Sequence, residues 1–62
     1  MTYWVVLEYS YGDYVAGEQI EADTVDNGMV SGTDEFGLRA SVPVGYLDAD
    51  GRTKAEYLRR ER

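Results

Sequence analysis

Asn27-Gly28 constrains this chain more than any other pair of neighbours. A type I′ hairpin turn needs φ above zero at both central positions, and Asn followed by Gly tolerates that best. Residues 14–25 before the pair and 29–33 after it both have strand chemistry. The chain is therefore expected to fold by antiparallel pairing, with its remaining strands joining the same sheet.

Residues 2–11, TYWVVLEYSY, are rich in β-branched and aromatic side chains. Tyr3, Val5, Leu7, Tyr9 and Tyr11 fall on one face at period two, and Trp4, Val6, Glu8 and Ser10 on the other. Both faces are apolar at the front, so this strand is expected to start in a buried place and end at the surface. Gly12-Asp13 then turns the chain into the second strand, where Gly17 reads as a bulge or a bend. Residues 34–37, DEFG, turn the third strand into a fourth over 37–42. The only proline, Pro43, ends that run: it cannot donate to a ladder, and it holds its own φ near −65°. After a bend at Pro43-Val44-Gly45 the chain resumes with Tyr46-Leu47-Asp48. The expected fold class is all-β, a small antiparallel barrel of about five strands, because closure removes exposed edges.

Thr53 and Glu56 stand at capping-box spacing and predict a short helix with Arg59, Arg60 and Arg62 toward its C-terminal end. A helix this short is marginal alone. Ala55 and Leu58, with Tyr57 beside them, have to dock for it to persist. The organisation expected is a barrel over 1–51 and a basic helix or tail over 52–62, with no internal repeat.

A chain of 62 residues makes one domain and buries only roughly 60% of its unfolded surface. It has one isoleucine and one phenylalanine, so six tyrosines and Trp4 must supply much of the apolar volume. Cysteine and histidine are both absent. That excludes disulfide and thiol chemistry, the commonest metal ligand, and Ser-His or Cys-His nucleophile pairs. No run is long and apolar enough for a signal peptide or a membrane span. With Met1 at its start, the chain reads as an intact small cytoplasmic protein.

Charge is split along the sequence. Residues 1–51 hold ten acids against one base, Arg39, giving −9; residues 52–62 hold five bases against two acids, giving +3. An acidic body repels phosphate backbones. Asp34-Glu35 and Asp48-Asp50 are acid pairs, but turn composition accounts for them better than glycosidase chemistry, which needs a cleft. Gly51 set at the sixth position of a calcium loop puts Tyr46 first and Tyr57 last, so no such loop is present. No cofactor or metal is implied.

Four stretches in order resemble an SH3 domain. Val42-Pro43-Val44-Gly45-Tyr46-Leu47 resembles its ending, where a strand closes on a proline, a 3₁₀ turn follows, and a tyrosine and an aliphatic residue begin the last strand. Residues 14–22, YVAGEQIEA, resemble the segment with an aromatic, a Gly-acid pair and an Ile-acid strand. Residues 26–32, DNGMVSG, resemble the acid-acid-Gly-Trp-Trp-x-Gly segment, and Tyr9-Ser10-Tyr11 has the spacing of the first-strand motif. The likeness covers residues 5–48, and the broad SH3-like barrel, bacterial forms included, is the name it supports. It implies an aromatic binding surface of Tyr9, Tyr11, Tyr14, Met29, Pro43 and Tyr46. Met29 and Val30 stand where the ligand-gripping tryptophan belongs, and only Gly12 and Asp13 separate Tyr11 from Tyr14. The resemblance therefore implies the fold and an aromatic face, without a proline-rich ligand.

Three functions are open at this point. The first is a non-catalytic protein–protein interaction module, binding a partner protein or a second copy through its tyrosines. The second is an acidic inhibitor or nucleic-acid mimic of the kind that phage and other mobile elements encode. The third is nucleic-acid binding by the basic tail. None involves a membrane.

Overall fold

The structure, a computed structural model, describes residues 2–60, without the side chains of Arg59 and Arg60. Met1, Glu61, Arg62 and those two side chains lie outside the described residues, so the expected clustering of Arg59, Arg60 and Arg62 does too.

Four strands form one antiparallel sheet in chain order: β1 (Tyr3–Val6), β2 (Gln19–Asp26), β3 (Met29–Asp34) and β4 (Arg39–Pro43). A 3₁₀ turn over Val44–Tyr46 follows, and helix α1 runs over Ala49–Arg60. The expectation of a closed barrel of about five strands is thus corrected. The sheet has four strands and stays open. The awaited fifth strand shrinks to one bridge, Leu7 with Leu47. Its physical reason is the helix start: Asp48 already caps α1, so no residues remain to extend the pairing.

Asn27 and Gly28 take φ of 52° and 75°, and Asp26 pairs with Met29 across them. This is the tight hairpin expected from the pair. The first strand is shorter than expected. Beyond Leu7 the chain bends, and the amides of Glu8 and Tyr9 both reach the Tyr46 carbonyl, at 2.7 and 3.4 Å. Trp4 corrects the expectation of a buried front end, since it is 48% exposed on the outer side of β1.

Of the two readings of Gly17, the bend holds and the bulge does not. Gly17 sits before β2 in a turn at φ 97°, its amide bonded to the Leu7 carbonyl at 2.8 Å. The irregularity in β2 lies between Ala22 and Thr24 instead. One extra residue there, Asp23, carries the inward set from Ile20 and Ala22 over to Val25, all three buried. Opposite the bulge lies Gly32, paired with Ala22. A Cβ on Gly32 would meet the Glu21 carbonyl oxygen and come within 2.7 Å of the Ala22 Cα. The bulged strand thus folds across β3 at a place only glycine fits.

The Thr53–Glu56 capping box is also corrected. Asp48 caps the helix, its Oδ1 accepting the Gly51 amide at 2.7 Å, and Thr53 Oγ1 bonds back to the Ala49 carbonyl at 3.0 Å. Aspartate is a stronger cap than a residue already one turn inside, so α1 begins earlier than Thr53 suggested. The helix packs on β1, β2 and the 3₁₀ turn. Ala55 and Leu58 are buried as the docking argument required, while Tyr57 stays exposed. Gly51 is buried where α1 meets the sheet; a Cβ there would lie 3.1 Å from Leu47 Cβ and 3.3 Å from Val5 Cβ. The core is Val5, Leu7, Ile20, Ala22, Val25, Val30, Ala40, Val42, Leu47, Ala55 and Leu58. Among the described residues no helix is long and apolar enough to cross a membrane.

Candidate functional site

The bend after Leu7 and the 3₁₀ turn after Pro43 bring tyrosines from distant parts of the chain together. Pro43, at φ −65° and ψ 142°, delivers the extended chain into the turn, and the Val44 amide anchors it to the Gly28 carbonyl at 2.9 Å. Tyr46 therefore projects beside the bend of residues 8–9. Its ring meets Tyr9 at 6.3 Å between centroids and Tyr11 at 5.1 Å, edge to face in both cases. That geometry sets the positive ring edge on the negative face of its neighbour. Tyr9 is 55% and Tyr46 37% exposed, while Tyr11 leans half-buried on the core.

The six residues assigned to the aromatic surface do not all join this group. Tyr9, Tyr11 and Tyr46 do. Tyr14 is diverted: its hydroxyl donates to Asp34 Oδ2 at 2.9 Å, although its main chain bridges Tyr11. Met29 and Pro43 face one another in the β3–β4 register, both half-buried. Sequence reasoning passed over the exposure of further apolar groups, among them Val15, Phe36 and Leu38. The signal for Phe36 was available, since a phenylalanine inside a four-residue turn has no face to bury.

Asp34 organises the turn that carries Phe36 and Leu38. It is a buried acid, and its Oδ1 accepts the amides of both residues at 2.9 Å each. The Leu38 amide first, then the Tyr14 hydroxyl and the Phe36 amide, hold the Asp34 carboxyl below the usual carboxylate range against its burial. The same bond to Asp34, more than any other effect, raises the Tyr14 phenol. A carboxylate lowered on folding contributes stability that is present above its unfolded pKa and lost as pH falls through the folded one. Asp23 is lowered as well, chiefly through Arg39. Thermal stability is therefore expected to fall as pH drops below about 4. Asp34→Asn should flatten part of that acid limb in circular-dichroism melts. Acid limbs that run parallel in the two proteins would show that Asp34 is not linked to folding.

The other acids are largely engaged. Asp23 holds Arg39 through two bonds at 2.7 and 3.0 Å, and Glu8 holds Arg52 at 2.6 Å. Asp50 pairs with Lys54 one turn along α1 at 3.0 Å. Arg52 also donates to the Leu47 carbonyl, so the start of the basic segment is tied to the acidic body. A hollow beside α1, lined by Val25, Gly28, Val44, Arg52, Ala55 and Glu56, holds about 90 Å³. That is well below the roughly 300 Å³ from which ligand pockets begin. Comparison with protein-family models, with curated proteins and with solved structures finds no match.

Proposed function

We propose that this chain is a non-catalytic interaction module of SH3-like kind, docking a partner protein through the face made by Tyr9, Tyr11 and Tyr46. The observation that carries the reading is the edge-to-face gathering of three tyrosines from two distant segments, two of them exposed. Tyrosine offers a large rigid contact with a polar tip at little entropic cost, which is why it is enriched in interface hot spots. The proline followed by a 3₁₀ turn and the likeness of residues 5–48 to SH3-like barrels support the same reading. The missing tryptophan and the two-residue gap between Tyr11 and Tyr14 point to a ligand other than a proline-rich peptide.

Affinity capture with the intact chain, repeated with Tyr9→Ala and Tyr46→Ala together, tests it. A discrete partner is expected to lose at least tenfold in affinity, the order of ~2 kcal/mol that one tyrosine hot spot supplies. Circular dichroism should show both proteins equally folded. Equal capture by the two would overturn the reading. Salt separates it from the acidic-mimic alternative: carboxylate mimicry weakens steeply as salt rises, whereas a tyrosine-centred contact does not. The third reading, nucleic-acid binding by the basic tail, calls for retention of the full chain on DNA or RNA at low salt. Deleting residues 52–62 does not test it cleanly, because Ala55 and Leu58 belong to the core.

A further inference from the structure

The two edges of the sheet differ. The β1 edge is covered: the Asp48 amide bonds the Val6 carbonyl at 2.9 Å, the Glu8 amide bonds Tyr46, and Lys54 reaches the Trp4 carbonyl at 3.2 Å. The β4 edge has no neighbour beyond β3 among the described residues. Its hydrogen-bond phase can be read directly. The Asp34 amide bonds the Leu38 carbonyl, and at the other end the Val44 amide bonds the Gly28 carbonyl. Bonding alternates along an antiparallel ladder, so Ala40 and Val42 direct their main-chain groups at β3. Arg39 and Ser41 direct theirs outward, unpaired. Pro43 shares that outward phase and has no N–H to offer.

We infer that β4 is an interface between two copies of this chain, pairing antiparallel about a two-fold axis at Ala40. In that register Arg39 of each copy stands opposite Ser41 of the other, and each such pair exchanges both of its main-chain bonds. Several observations single out a second copy. The strand is self-complementary here: a register centred on Arg39 sets two guanidinium groups against each other, and one centred on Ser41 sets Arg39 against Pro43, which returns only one bond. The Ala40-centred register also places Leu38, 64% exposed, across from Val42 of the other copy on the core side of the sheet. Phe36, 77% exposed, is carried toward the other copy's 3₁₀ turn. Edges that must stay single carry lysines, prolines or inward charges. Here the one proline, Pro43, ends the strand outside the Arg39–Ser41 pairing, no lysine is present, and the one charge, Arg39, is folded back onto Asp23. The edge is thus locally neutral on a chain of net charge −6. Distant repulsion between two such copies is screened by salt, so pairing should tighten as salt rises.

Sedimentation of the full chain over a concentration series tests the inference, together with hydrogen exchange at low and high concentration. The expected result is a reversible dimer, with the Arg39 and Ser41 amides slowing as concentration rises. Leu38→Lys, at an exposed side chain, should weaken the dimer about tenfold or more without altering the monomer fold. Ser41→Pro removes an outward N–H that β3 does not use and should abolish it. The Tyr9→Ala, Tyr46→Ala double variant should dimerise like the native chain, which separates this interface from the tyrosine face. A monomer at every concentration overturns the inference. So does a dimer indifferent to Leu38→Lys whose Arg39 and Ser41 amides exchange equally fast at both concentrations. Slowed exchange of those amides only on adding a foreign extended peptide would assign the edge to strand addition instead, and overturn the second copy as occupant.

Discussion

Gly32→Ala should remove a large share of the chain's stability. The added Cβ meets β2 main chain, with the Ala22 Cα only 2.7 Å away. Side chains can yield to overpacking at a cost of about 1–3 kcal/mol, but a strand in the middle of a sheet cannot step aside. The cost is therefore expected to exceed ~3 kcal/mol, against a total of roughly 3–9 kcal/mol for a domain of this length. Gly45→Ala is the matched control. Nothing lies within 4 Å of a Cβ there, and its φ is not in the left-handed region, so stability should hold or rise slightly. Far-UV circular dichroism and a thermal melt of both variants check the pair. A Gly32→Ala protein melting within a few degrees of the native chain would show that β2 does not cross β3 this closely.

Leu47→Ala is the second large effect. Leu47 is 0% exposed and lies where the end of β1, the 3₁₀ turn and the start of α1 meet. It bridges Leu7, ends the 3₁₀ turn through its amide to Val44 at 3.0 Å, and precedes the Asp48 cap. Truncating a buried leucine costs about 2–5 kcal/mol, so at least about a fifth of the stability is expected to go. Because Leu47 holds both the covered β1 edge and the base of α1, the amides of Glu8 and Asp48 should lose protection together. Leu38→Ala should change stability by less than about 0.5 kcal/mol, since that side chain is mostly in solvent. Urea denaturation gives the energies, and hydrogen exchange gives the sites. Equal effects at Leu38 and Leu47 would contradict the burial described here.

Much of the sheet was legible because its instructions are local. Asn27-Gly28 demanded a tight hairpin wherever it fell, and Pro43 closes β4, the chain passing directly after it into the 3₁₀ turn. The docking of Ala55 and Leu58 followed from helical spacing alone. The β2 bulge was written in the sequence but misread. Ile20 and Ala22 keep period two, and Val25 breaks phase by one residue, which requires an extra residue between them. Gly17 fits the bend of its two readings, and the bulge falls elsewhere. The helix start was misplaced because Thr53–Glu56 satisfies a spacing rule that Asp48 satisfies better in space.

The tyrosine site was partly readable. Tyr9, Tyr11 and Tyr46 could be grouped through a resemblance, but the removal of Tyr14 could not. A phenol is claimed by whichever acceptor lies within reach, and Asp34 is distant in sequence. Trp4 was misjudged for a related reason. Alternation shows that two faces differ, but not which face a later helix will cover.

The amino-acid sequence by itself determined the antiparallel class, the hairpin at Asn27-Gly28, the strand stop at Pro43 and an amphipathic C-terminal helix, because each depends on backbone preferences of adjacent residues. Only the tertiary structure decided that the sheet stays open, that α1 rather than a fifth strand lies against it, and that three of the tyrosines meet. Those outcomes depend on which distant groups win a limited set of neighbours, and in a chain this small Leu47 and Asp48 cannot both extend a strand and begin a helix.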